Sequence, residues 1–144
     1  MLVLERYFAR LEQIMGETLE NAALRPRARI WAYFDRITAS LTGAGWRRGC
    51  MIADMAAEIP PHSEAMRERL CAILSDQATR FEQAVRLVHP EDGDAAADLG
   101  SFLLAAWHGT LLRMKAERDP AAIERFGRVL ERLIGPRLKP KSQR

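Results

Sequence analysis

The amino-acid pattern predicts an all-α fold, and three observations carry it. Apolar residues return every three or four positions in six separate stretches. No stretch alternates with period two for long enough to form a strand. The breaks between stretches fall at proline, at glycine or at short polar clusters. With 144 residues, 48% of them hydrophobic, the chain is long enough for one domain with its own core, and its apolar content excludes a disordered segment.

The first helix opens at once. Leu4, Phe8, Leu11, Met15 and Leu19 recur at helical spacing, with Glu5, Arg6, Arg10, Glu12 and Glu17 between them. No cap or loop precedes it, so the sequence reads as though begun inside a helix, with something expected upstream. Residues 21–25 connect to a second helix. Pro26 starts it, because proline at the first helical position loses no hydrogen bond. Ile30, Phe34, Ile37 and Leu41 mark its buried side, and the run Thr42-Gly43-Ala44-Gly45 ends it. A short third helix is expected over about 47–58, closed by Pro60-Pro61. Ser63 caps a long fourth helix, whose period runs through Met66, Leu70, Ile73, Leu74, Phe81 and Val85 to about Leu87. His89-Pro90 breaks it, and residues 91–94 read as an exposed turn.

The fifth helix, expected over 99–116, differs from the others by being apolar on two sides. Leu103, Leu104, Trp107, Leu111 and Met114 point one way. Phe102, Ala105, Gly109, Leu112 and Ala116 point another, and several of these are small enough to let a second backbone approach. Ser101, His108 and Lys115, seven apart, form the polar stripe on which a solvated histidine is expected. Asp119-Pro120 opens the sixth helix, with Ile123, Phe126, Leu130, Leu133 and Ile134 on its apolar face, Gly127 beside it, and Gly135-Pro136 as its stop. Two adjacent helices of this kind suit a four-helix contact across a two-fold axis. The candidate interface is therefore Phe102, Ala105, Gly109, Leu112, Ala116, Ile123, Phe126, Gly127, Leu130 and Ile134. The plainer alternative is that both helices complete a monomeric core.

The net charge of +3 is misleading, because Arg137, Lys139, Lys141 and Arg144 lie past the last helix. Without those four the body carries one net negative charge. Residues 1–136 thus read as the folded domain and 137–144 as a basic flexible tail. Arginine and glutamate interspersed over helices describe a solvated surface rather than a nucleic-acid footprint. No apolar run approaches the roughly 20 residues needed to span a bilayer, and the start is broken by charges too early for a signal peptide. A soluble cytoplasmic protein without a membrane partner is expected. Cys50 and Cys71 lack metal-ligand spacing and read as buried free thiols.

No catalytic constellation stands out. There is no nucleophile elbow, no phosphate-binding loop and no dinucleotide fingerprint. Pro60-Pro61 separates Glu58 from His62 and spoils helical metal-ligand spacing. Neither an enzyme nor a bound metal or cofactor is expected. What the chain has instead is a surplus of large, soft side chains. Met15, Trp31, Phe34, Met51, Met55, Phe81, Trp107 and Met114 are residue types that line adaptable small-molecule pockets and also fill ordinary cores. Asp54 sits inside an apolar run, where it needs a partner or ligand if its helix is central and water if it is not.

The order of these features resembles the C-terminal domain of TetR-type transcriptional repressors. The likeness rests on residues 49–70, GCMIADMAAEIPPHSEAMRERL, then a long helix, then FLLAAWHGTLLRMKAERDP and a closing amphipathic helix. The start, LVLERYFARLEQIMGETL, is similar to the helix joining that domain to its DNA-binding head. The resemblance implies a homodimer through the last two helices and a small, hydrophobic effector held among the preceding ones. It makes Met15, Phe34, Met51, Asp54, Phe81 and Trp107 candidate pocket residues, to which composition adds Trp31 and Met55. It also implies that DNA is reached only through a helix-turn-helix head, for which this sequence has no counterpart, so the 144 residues alone are not expected to bind an operator. The alternative is a headless interaction protein that pairs with a full-length regulator and binds no ligand.

Overall fold

The computed structural model describes residues 2–138 and contains six helices: α1 (Leu2–Glu17), α2 (Pro26–Thr42), α3 (Met51–Glu58), α4 (Glu64–Val88), α5 (Gly93–Glu117) and α6 (Ala121–Ile134). No strand occurs among the described residues. Local chemistry sets most boundaries. Pro26 opens α2. The Ser63 side chain accepts from the Met66 N–H, and the Asp92 carboxylate accepts from the Ala95 N–H at 3.0 Å, so each satisfies a free donor of its helix. The Asp119 carboxylate takes the Ala121 N–H at 2.7 Å before α6.

Two boundaries differ from the sequence expectation. Helix α5 begins at Gly93, six residues early, because Asp92 is a working cap and the expected turn is its first turn. Helix α3 begins only at Met51. Gly45 and Trp46 both take left-handed φ values, 60° and 61°, and Cys50 is extended. A left-handed conformation is unfavourable for a side chain as large as tryptophan. Partial burial of Trp46 against the core supports it.

Helices α4 and α5 form the spine, and Gly100 fixes how closely they pass. A Cβ on Gly100 would lie 2.6 Å from both Cα and N of Glu82. Helix α2 crosses α4, and α6 lies along α5. One core runs through the middle, where Phe34 packs with Phe81, Trp107 and Phe126 at centroid distances of 5.6, 4.9 and 4.8 Å. Ion pairs tie α1 to α4. Arg69 grips Glu5 and lies over the Phe8 ring, while Arg80 reaches Glu12, Glu20 and Asp76. His89 closes α4 and places its Nε2 3.1 Å from the Leu133 carbonyl.

Past α6 the chain is held rather than loose at first. Arg137 stacks on Trp31 at 3.9 Å and pairs with Asp35, while Trp31 Nε1 donates to the Gly135 carbonyl at 3.1 Å. Arg137 is the first residue of the stretch expected to form a flexible tail, and Lys139, Lys141 and Arg144 of that stretch lie outside the described residues. The thiols also separate. Cys50 is buried as expected, but Cys71 is exposed on α4. No helix among the described residues is long and apolar enough to cross a membrane.

Candidate ligand cavity and apolar groove

A cavity of about 160 Å³ opens between α1, α2, the segment entering α3, and α5. Helix α1 contributes Tyr7, Arg10, Leu11 and Ile14, which share a face because they are spaced by three and four. Helix α2 contributes Tyr33, Ile37, Ser40 and Leu41 in the same way. The extended segment brings Arg48, Gly49 and Cys50, and α5 brings Trp107, His108 and Leu111. The left-handed turn at Gly45-Trp46 lets this segment leave α2 and form one wall. It is pinned from outside by Lys115 Nζ, 2.8 Å from Asp54 Oδ2. Gly49 lies beneath that ion pair, with no room to spare: a Cβ there would sit 3.2 Å from the Lys115 stem.

The lining divides by chemistry. Leu11, Ile14, Ile37, Leu41, Trp107 and Leu111 are apolar. The polar part is rich in donors. Tyr7 Oη accepts from the Met51 N–H at 3.4 Å, and its own proton is turned toward the Cys50 sulfur. Burial pushes the Tyr7 and Tyr33 phenols and the Cys50 thiol upward, so all three keep their protons at neutral pH. Burial pulls His108 down to about 4, so its imidazole is neutral. This corrects the expectation of a solvated histidine: Ser101 and Lys115 do face outward, but His108 is drawn in where α5 passes the cavity.

Of the eight candidate pocket residues, Trp107 lines this cavity. Phe34 and Phe81 stand behind it in the aromatic cluster, and Met15 is fully buried in the core. Met51 touches the site through its backbone N–H. Met55 packs partly buried against the core. Trp31 instead anchors the chain after α6, and Asp54 answers Lys115. These residues are core or clamp because the space between helices is filled by their neighbours. Sequence reasoning passed over Tyr7, Tyr33, Cys50 and His108. The available signal was a polar tip at an otherwise apolar helical position, which for tyrosine and histidine is read too easily as surface.

The opposite side of α5 carries a groove of about 430 Å³ against α6. Phe102 and Val129 are 58% and 44% exposed there, with exposed Gly109, while Leu112, 42% exposed, and the exposed Ala105 and Ala116 lie on α5 outside its lining. Ile123 and Gly127 are partly covered. Phe126 and Leu130 are largely buried within their own chain and form the floor of this groove, and Ile134 is buried beyond it.

Residues 26–130 match the model of the tetracyclin repressor-like C-terminal domain, and the chain belongs to that family. It is 32% identical over 129 residues to the HTH-type transcriptional repressor DhaR of Mycobacterium sp. strain GP1, covering 86% of this chain and 63% of that protein. It is 27% identical over 135 residues to the transcriptional regulator AcuR of Cereibacter sphaeroides, covering 89% of this chain and 59% of that protein. The chain thus spans about three fifths of the length of these relatives. A crystal structure of a regulatory protein TetR from Rhodobacter sphaeroides superposes with a TM-score of 0.83 over 91% of this chain and 71% of that one; at 21% identity this likeness carries the fold alone. The family is one of transcriptional regulators rather than enzymes.

Proposed function

We propose that these residues form the effector-sensing and dimerisation part of a TetR-type transcriptional regulator, with a small, largely apolar effector in the α1–α2–α5 cavity. The observation that carries this reading is the composition of the walls. One wall is α1, and the opposite wall is α5, whose other side bears the exposed apolar groove. Filling the cavity would favour one position of α1 relative to α5, and so relative to a partner chain docked on α5 and α6. A ligand shifts such an equilibrium only by its difference in affinity for the two arrangements. An engineered hydrocarbon-lined cavity of about 150 Å³ accepts benzene, so this one suits a ligand of ring size. Operator contact is not assigned to these 144 residues, whose body carries no basic excess.

Homodimerisation through the groove is part of the reading. Light scattering at micromolar concentration should give twice the chain mass, and Phe102→Glu should give the chain mass. A wild type that is monomeric there counts against the dimer. A screen of ring-sized compounds by thermal shift tests the sensing role, and a gel shift tests operator binding. Sequence-specific, salt-sensitive retardation of DNA by this chain alone would overturn the assignment of DNA binding to a separate head.

A further inference from the structure

Resting on the sensing role just proposed, the cavity's chemistry narrows the ligand class. Tyr33 is 2% exposed, yet its hydroxyl has no hydrogen-bond partner among the described residues. It is also not among the buried polar atoms sealed off from open space, a condition met by the side-chain N and O of Gln77. The Tyr33 hydroxyl therefore opens on the cavity beside Cys50 and Tyr7. A buried phenol without a partner calls for an acceptor. The neutral His108 ring offers one N–H and makes no hydrogen bond among the described residues, and the Tyr7 proton, turned toward the weakly accepting Cys50 sulfur, can pass to a better acceptor. At the exposed rim stand Arg10 and Arg48, neither with an ion-pair partner among the described residues, and no aspartate or glutamate lines the cavity. Donors and cations thus surround a hydrocarbon-walled space that offers few acceptors, and the carboxylate behind its wall, Asp54, is paired with Lys115.

We propose that the effector is a small monocarboxylic acid with an apolar body. Its body packs on Leu11, Ile14, Trp107 and Leu111, and its carboxylate oxygens accept from this donor set, with Arg10 and Arg48 supplying the countercharge. A guanidinium suits a carboxylate by geometry as well as by charge. A cavity of about 160 Å³ limits the acid to roughly the size of benzoate.

The test is calorimetric titration of the intact chain with benzoate, benzamide, toluene and inorganic phosphate. Benzoate is expected to bind at least ten-fold more tightly than benzamide, and phosphate not measurably. Arg48→Gln and Arg10→Gln should each weaken benzoate by ten-fold or so while leaving benzamide within two-fold. Tyr33→Phe should weaken both and leave toluene unchanged. The melting temperature of each unliganded variant serves as the control for folding. Benzamide or toluene equalling benzoate would overturn the acid while leaving the sensing role intact. Phosphate equalling benzoate would place the anion on surface arginines and also overturn it. Absence of binding by all four, and by butyrate and hexanoate, would remove the sensing role as well.

Discussion

Replacing Gly100 with alanine tests the α4–α5 spine on which both the cavity and the groove depend. The added methyl would sit 2.6 Å from Glu82 Cα and N and 2.9 Å from the Phe81 carbonyl carbon. All three are backbone atoms, so no side chain can swing aside. Ordinary contact needs close to 3.4 Å or more, so the helices must separate by somewhat under an ångström where they are packed most extensively. Overpacking of this kind costs about 1–3 kcal/mol and occasionally more. Alanine returns about 1 kcal/mol through helix propensity. With backbone on both sides the cost falls at the upper end, leaving a net loss of about 2 kcal/mol. For a domain of this size that lowers Tm by roughly 6–8 °C. The assay is thermal unfolding by circular dichroism at fixed chain concentration, beside Gly16→Ala. Gly16 is exposed in α1, away from the groove, and a Cβ there would meet the Glu20 carboxylate at 3.9 Å, an ordinary contact. That variant should melt at or slightly above the wild type. If Gly100→Ala melted no lower than Gly16→Ala, the close crossing would be refuted.

Three further outcomes are expected. Gln77 is 1% exposed with both polar side-chain atoms unpartnered, so Gln77→Leu should raise the urea midpoint by about 1–2 kcal/mol of stability; a lowered midpoint would mean that the amide is satisfied in solution. His108 titrates at about 4 when folded and near 6.5 when unfolded, so between those values the unfolded chain holds more protons. Stability should therefore fall as pH drops from 6.5 towards 4, by about 1–2 kcal/mol at pH 5. His108→Gln should lack that component, and an unchanged slope in the variant would show that burial does not suppress the proton. Trp31→Phe should lose the Gly135 bond, and amide exchange at Gly135, whose N–H bonds to the Glu131 carbonyl, should quicken while the rest of α6 keeps its protection; unaltered exchange would mean that Arg137 and Asp35 suffice.

The six helices were legible because their signals are local. Period, proline at helix starts, and the caps at Ser63 and Asp119 act within a few residues of where they are read. The start of α3 is not legible, because nothing in residues 47–50 announces that Gly45-Trp46 turns left-handed. The start of α5 is not legible either, because an Asp92 cap and an exposed turn use the same residue types. Its two-sided apolar character was also readable, and exposed Phe102 and Leu112 stand where that pattern put them.

Which side chains surround empty space was a different kind of question. A soft residue such as Met15, Phe34 or Phe81 fills core or lines a cavity according to whether its neighbours leave a gap, and the gap is set by how α1, α2 and α5 meet the segment entering α3. Helix packing likewise spent Phe126, Leu130 and Ile134 inside the chain, turned His108 inward, gave Asp54 its lysine, and left the Tyr33 hydroxyl facing a void. Sequence by itself determined the elements, their faces and the family. Tertiary packing decided the cavity, because volume left unfilled is a property of the assembled helices and of no single segment.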